Sequence, residues 1–375
     1  MSARKAVAGR PGGRAGSGSA GRGRRGAPER GKRGVAVAAL VSRRVGARAL
    51  RPWIERLRDL PAVVWGDFVL DEYWQCRSTR VSREAPVLVL DYRSRSAQGG
   101  GAANAALNMA SLGARVAVVG WVGADSAGEE IRALLARAGC DVSGLLVHPS
   151  NPTIVKTRIV AGDVHTSLQQ VVRVDRGEAF EADPGSRRVL NEALRRATQD
   201  ARALVMSDYG YDSVTPALAR QAAKGWLRKL VVGVDARYRL GDYRNVTVAT
   251  PNEGEAAAAI GHAVSSDAEL ARGAHALRHR TGVEHLIVTR GRDGMTLWNA
   301  EGGVSLAAWG GHEAVDVTGA GDAVVATVTL ALAAGAPPLE AAGLANVAGS
   351  VAVSRRGAVA VTPGELRDAL AGTGA

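Results

Sequence analysis

Asp316-Val317-Thr318-Gly319-Ala320-Gly321-Asp322 places a carboxylate in a Gly-rich turn, directly ahead of an apolar run from Ala323 to Ala334. The spacing predicts a tight turn opening into a helix. Gly319 and Gly321 let the backbone bend closely and leave room for a ligand against the main chain. The first N–H groups of a helix lack intrahelical partners and lie at the positive end of its dipole, so they attract phosphate. Asp322 beside such an anion site suits a general base that takes a proton from a hydroxyl while the helix start steadies a transferred phosphoryl group. Read alone, the heptad is equally a capped turn with Asp322 as the cap.

Other residues of the right type recur along the chain. Asp67 and Asp71 follow the apolar stretch Ala62-Val63-Val64-Trp65-Gly66, where carboxylates at a strand end accept hydrogen bonds from sugar hydroxyls or cap a loop. Gly99-Gly100-Gly101-Ala102-Ala103-Asn104 is a second Gly-rich helix entry, with Asn104 offering a donor and an acceptor. Lys156 and Arg158 lie two apart and share one face of a strand, a geometry that clamps a phosphate or is solvated. Asn252 and Glu255 lie three apart at a helix start, where they hold Mg2+ through its waters or form a cap. The chain has no G-x-x-x-x-G-K-[ST] and no G-x-S-x-G, and its seven His are scattered, so a P-loop kinase is excluded and metal-ligating His pairs are absent.

The elements that position these residues follow from the pattern. Strands at 62–66, 116–122, 203–206, 231–234, 246–249 and 285–288 each end in Gly or polar residues, and most are followed by a helix. This predicts an α/β fold with a parallel sheet and a ligand edge at the strand ends. The stretches 74–98 and 153–175 instead alternate apolar and polar residues and read as a small separate sheet, a lid. Thus residues 51–375 read as one domain.

Residues 1–50 are different. They carry 13 of the 48 Lys/Arg and one of the 36 acids, so the whole net charge of +12 sits there, and the other 325 residues balance at 35 of each sign. This Gly/Arg-rich tail is expected to be disordered. It could bind nucleic acid by counterion release, act as a targeting peptide through Ser42-Arg43-Arg44, or be a dispensable extension, and the third reading is favoured. The neutral remainder argues against a nucleic-acid protein. Two distant cysteines, Cys76 and Cys140, fit a reducing cytoplasm, and no apolar run reaches transmembrane length.

In order along the chain, Gly66 with Asp71, Gly100-Gly101 with Asn104, Asn252-x-x-Glu255, Thr289-Arg290-Gly291 and the heptad 316–322 resemble the PfkB, or ribokinase-like, carbohydrate kinases. Arg80–Val87, Lys156-Thr157-Arg158, Gln170–Asp175 and Ser207-Asp208-Tyr209-Gly210 are most similar to the heptose 7-phosphate kinases of that family. The resemblance implies a three-layer αβα sandwich with a mainly parallel sheet and a β-sheet lid. It implies ATP-dependent phosphorylation of the C1 hydroxyl of D-glycero-D-manno-heptose 7-phosphate to the 1,7-bisphosphate. By the same resemblance Asp322 is the base, Gly319, Ala320 and Gly321 form the anion hole, and Asp71, Gly100, Gly101, Asn104 and Asp208 hold the sugar. Lys156 and Arg158 reach its phosphate. Arg237, Asn252, Glu255, Thr289, Gly291, Thr318 and Asn346 line the ATP site, with Mg2+ held through water by Asn252 and Glu255 and with an optional monovalent cation. The lid is expected to pair with a second subunit.

The chain departs from the heptose kinases at Tyr211-Asp212, where they carry Lys-Gly, and at Ala236-Arg237, where they carry Pro-Lys. The alternatives are therefore another PfkB sugar or nucleoside kinase, or a non-catalytic sugar-binding protein. The nucleotidyltransferase half of bifunctional relatives, with its HxGH motif, is not in the sequence, and a kinase alone is expected.

Overall fold

The predicted alternation of strands and helices is present in the computed structural model, which describes residues 40–162, 169–180, 183–223, 227–310 and 314–372. The elements in order are β1 (Val41–Ser42), α1 (Ala47–Arg56), β2 (Pro61–Gly66), β3 (Phe68–Val81), β4 (Leu88–Gly101), α2 (Ala102–Ser111), β5 (Arg115–Gly123), α3 (Ser126–Arg137) and β6 (Asp141–His148). There follow β7 (Ile154–Gly162), β8 (Gln169–Arg176), α4 (Pro184–Ala197), β9 (Ala203–Asp208), α5 (Pro216–Ala223), β10 (Val231–Ala236) and β11 (Val248–Ala249). The last are α6 (Glu253–Ile260), α7 (Asp267–Thr281), β12 (His285–Thr289), β13 (Met295–Asn299), β14 (Gly302–Leu306), α8 (Ala320–Ala333), α9 (Pro338–Val353) and α10 (Pro363–Ala371).

Ten strands form one sheet in the order β1-β14-β13-β12-β11-β10-β9-β2-β5-β6. Only β13 runs against its two neighbours; the other neighbouring pairs are parallel. The chain leaves β2 toward β5 and β6, then returns to its other side with β9, so the strand order reverses at β2. Ligands of open α/β sheets sit outside the strand ends at such a point.

Successive residues of one strand face opposite layers. Ala62 and Val64 of β2, and Ala203 and Val205 of β9, pack with α1, α2, α8, α9 and α10. Val63, Trp65, Leu204 and Met206 pack with α4, α5 and α7. The result is a three-layer αβα sandwich. Helix α8 is apolar on every side and almost wholly buried, as a helix between a sheet and a second helix layer must be.

The lid is a separate four-stranded sheet in the order β4-β3-β7-β8. Its strands run further than the stretch expected at 74–98. Asp67 alone separates β2 from β3, and β4 passes directly into α2. Asp71 and Lys156 are register partners, as are Tyr73 and Arg158. Residues 163–168, inside the expected lid span 153–175, lie outside the described residues.

One boundary needs correction. The ordered domain begins before residue 51: Val41 and Ser42 pair with Val304 and Ser305 of β14, and Leu50 and Ile54 of α1 are core residues. Leu50, Ile54 and Leu57 form an i, i+4, i+7 stripe, which buries α1 despite Arg48, Arg51 and Arg56 on its other sides. Residues 1–39 of the expected tail lie outside the described residues. Among the described residues no helix is long and apolar enough to cross a membrane.

Candidate active site

A cleft of about 1190 Å3 lies between the strand ends and the lid, and most of the expected residues meet in its wall. Asp71, Gly101, Lys156, Arg158, Arg237, Asn252, Glu255, Thr289, Gly291, Thr318, Gly319, Ala320, Gly321, Asp322 and Asn346 all line it. Gly100, Asn104 and Asp208 do not line it, and the reasons are instructive.

Asp322 stands in the first turn of α8, behind Gly319, whose φ of 79° is left-handed. A side chain at Gly319 would also strike Asn104, its Cβ lying 2.4 Å from Nδ2. Both Asp322 oxygens are occupied. Asn104 Nδ2 donates to Oδ2 at 2.7 Å, and the Tyr209 hydroxyl donates to Oδ1 at 3.2 Å. Asn104 therefore positions the carboxylate from behind. Burial pushes the Asp322 carboxyl up to about 7, against the two hydrogen bonds, with Asp71 and Glu255 adding to the rise. A carboxylate titrating near neutrality is matched to proton abstraction.

Asp71 points into the cleft and forms an ion pair with Arg158. Arg158 thus orients the Asp71 carboxylate. Gly100 is the reason Asp71 fits: a Cβ there would lie 2.3 Å from Asp71 Oδ2. Its contribution is space for Asp71.

Two further carboxylates prove to be backbone clamps. Asp67 is fully buried and accepts the N–H groups of Tyr209, Tyr211 and Ser213 at 2.8, 3.0 and 3.0 Å. Burial pushes it up to about 6 despite these bonds. Asp208 accepts from Gly210 N, from the Arg239 guanidinium and from Tyr243 OH. These bonds engage both of its oxygens inside the protein. Together these clamps fix residues 209–213 and so deliver the Tyr209 hydroxyl to Asp322. Tyr209 was quoted in the sequence without a role; its signal was an aromatic residue between a strand-end Asp and Gly210, which has a φ of 85°.

At the other end of the cleft, Asn252 and Glu255 form a capping box. Asn252 Oδ1 accepts from Glu255 N, and Glu255 Oε2 accepts from Asn252 N, both at 2.9 Å. Glu255 is raised by burial. Asp235, at the end of β10, is raised well above the usual carboxylate range by burial, then by Asp322 and Glu255. The three acids thus repel one another across the site. Asn346 braces the wall by donating to Ala307 O at 2.6 Å. Asp316 ties two loops together, accepting from Thr318 N and Gly357 N at 2.9 Å each. Among the described residues no cluster of three or more His, Cys, Asp or Glu has metal-holding geometry.

The profile of the pfkB family of carbohydrate kinases matches residues 63–364. The chain belongs to the pfkB carbohydrate kinase family. It is 40% identical over 311 residues to the bifunctional protein HldE of Geobacter metallireducens, covering 82% of this chain and 62% of that one. It is 37% identical over 318 residues to the HldE protein of Azorhizobium caulinodans, covering 84% and 65%. The pfkB chain thus spans under two thirds of the length of these relatives. The fold is ribokinase-like. Phosphofructokinase-2 from Escherichia coli in complex with potassium superposes with a TM-score of 0.70 at 17% identity, over 83% of this chain and 98% of that one. Arabidopsis thaliana ribokinase, complexed with ribose and ATP, gives 0.64 at 19%, over 83% and 98%.

Proposed function

We propose that this ATP-dependent carbohydrate kinase phosphorylates the C1 hydroxyl of D-glycero-D-manno-heptose 7-phosphate, with Asp322 as general base. The observation that carries the base is the buried Asp322 carboxylate, raised to about 7 and held by Asn104 and Tyr209 at the N-terminus of α8. The heptose rests on the lid and strand-end motifs that resemble heptose 7-phosphate kinases and on the HldE relatives.

In this reading Asp71, oriented by Arg158, accepts sugar hydroxyls. Asp322 takes the proton of the attacking hydroxyl. The N–H groups at Gly319 to Gly321 meet the negative charge of the phosphoryl group in transfer. The lid excludes water, which competes as acceptor. Mg2+ fits beside Glu255: Asn252 and Glu255 would hold it through water, because Glu255 keeps one oxygen outside the capping box and the neighbouring Asp235 adds negative charge. Such an ion neutralises phosphate charge. A monovalent cation is tested by the potassium dependence of turnover.

The lid also supports a homodimer. Its outer face exposes Trp74 by 38% and Tyr92 by 58%, stacked edge to face at 6.2 Å, with Val172 and Val174 alongside. Sedimentation of the wild type beside Tyr92→Arg tests this; a dimer that survives the substitution counts against the lid contact.

Tyr211, where heptose kinases carry Lys, favours a second reading in which another sugar is the acceptor. An acceptor panel separates the two. Heptose 7-phosphate is expected to give the highest kcat/KM; preference for ribose, fructose or adenosine would exclude it.

A further inference from the structure

Asn104 can meet Asp322 with either end of its amide, and the two ends have opposite consequences. Its N–H groups stabilise the ionised carboxylate, whereas its carbonyl oxygen can accept only from the protonated acid. The structure presents the nitrogen: Nδ2 donates to Asp322 Oδ2 at 2.7 Å and to Gly319 O at 3.4 Å. What selects this orientation lies one turn further along α2.

Asn108 follows Asn104 by four residues, so the two amides share one face of α2. Both residues are 1% exposed, and each polar atom therefore needs a protein partner. Asn108 Nδ2 donates to the main-chain Asn104 O at 3.0 Å and to Asn104 Oδ1 at 3.1 Å. Asn108 Oδ1 accepts from Val361 N at 3.1 Å. Backbone groups cannot reverse, since an N–H only donates and a C=O only accepts. Val361 N thus draws the oxygen of Asn108, and Asn104 O draws its nitrogen. The other Asn108 N–H is left for Asn104 Oδ1, which turns Asn104 Nδ2 toward Asp322. Val361 is itself fixed. It is fully buried and precedes the capping box of Thr362 and Glu365 that opens α10. Three residues earlier, Ala358 N donates to Gln98 Oε1 of lid strand β4 at 2.9 Å.

We propose that Asn108 is a positioning residue for the phosphoryl transfer, locking the Asn104 amide with its nitrogen toward Asp322 so that the base stays ionised. This rests on the reading of Asp322 as the base. Without the Asn108 donor, the Asn104 amide turns, and its oxygen pairs with protonated Asp322. Asn108 therefore acts against protonation without touching the carboxylate. The bias matters because burial already draws Asp322 up to about 7. Asp71 of β3, Glu255 of α6, Asp235 of β10 and the Tyr209 hydroxyl also face Asp322, with Arg237 beyond the Tyr209 ring. The bonds of Asn108 run instead to Asn104 and Val361, so its substitution isolates the amide relay.

The test is the pH profile of kcat/KM for Asn108→Leu and Asn108→Ser, by coupled ADP release with the preferred acceptor. Leu removes both amide groups at similar volume. Ser is the milder change: its hydroxyl bonds Asn104 O within the helix but leaves Asn104 Oδ1 without a donor. Thermal melts confirm the fold, and the Ser variant decides the matter should Leu not fold. The acid limb is expected to move up by about half to one pH unit, the worth of one ordinary hydrogen bond. Turnover below the limb then falls about three- to tenfold, while the alkaline plateau holds. In an Asn104→Ala background, substituting Asn108 should move the limb no further. An equal loss at every pH, or a shift that persists in full without Asn104, overturns the relay. Asp322→Asn is measured alongside. If its activity collapses while the Asn108 limb stays in place, the relay alone is overturned. If Asp322→Asn keeps wild-type turnover, the base reading fails and the relay falls with it.

Discussion

Tyr209→Phe isolates one hydrogen bond to the proposed base. The ring and its cation contacts remain, while the hydroxyl that donates to Asp322 Oδ1 at 3.2 Å is lost. That bond favours the ionised carboxylate, so its loss raises a group already at about 7. A hydrogen bond to a charged group contributes about 1.5–3 kcal/mol, and the length here places it at the low end, or about one pK unit. Asp322 must be ionised to accept a proton, so activity falls away below its pKa. The acid limb of kcat/KM should therefore move up by about one unit. Near pH 6 the variant should be about tenfold slower than wild type, and near pH 9 almost equal. The assay is a coupled ADP-release measurement across that range with the preferred acceptor. An equal loss at every pH, or a limb that does not move, would refute the reasoning.

Three further outcomes follow from the geometry. The folded pKa of Asp322 lies above its ordinary 3.8, so its ionisation opposes folding; that cost is absent below about pH 4 and fully present above about 7. Asp322→Asn should gain stability over wild type as pH rises, by about 2 kcal/mol between about pH 5.5 and 8.5, read by denaturant titration; a constant difference contradicts it. Gly100→Ala drives a methyl into Asp71 and should raise the acceptor KM with the ATP KM unmoved, at a stability cost of about 1–3 kcal/mol. Asp208→Asn should lower the melting temperature, by about 1–3 kcal/mol of stability, while the acceptor KM holds; a large KM rise would restore it to the sugar site.

Much of this was legible in the sequence. Strand and helix periods are local, so the sandwich and the lid could be read from burial patterns such as Val63-Val64-Trp65. The β13–β14 hairpin and β1 were missed, the latter because Arg43, Arg44 and Arg48 mask a short apolar signal. The heptad, Asn252-x-x-Glu255 and Lys156 were found because their residue types carry chemistry at fixed spacing. What the sequence left open has one cause: Asp67 and Asp208 sit at strand ends, and sequence does not tell whether such a carboxylate faces ligand or backbone. Three N–H groups aimed at Asp67, and Arg239 and Tyr243 at Asp208, decide it, and these partners are remote in sequence. Gly100 was legible as special, but its reason, the Asp71 carboxylate, lies on the neighbouring strand.

The most direct test of the central claim is ATP turnover with D-glycero-D-manno-heptose 7-phosphate, wild type beside Asp322→Asn, with the product located by phosphorus NMR. The account predicts a new phosphoester at the anomeric carbon and a loss of about 10²–10⁴-fold in the variant. Equal turnover by the two proteins would contradict Asp322 as the base, and no turnover by a wild type that accepts other sugars would contradict the heptose.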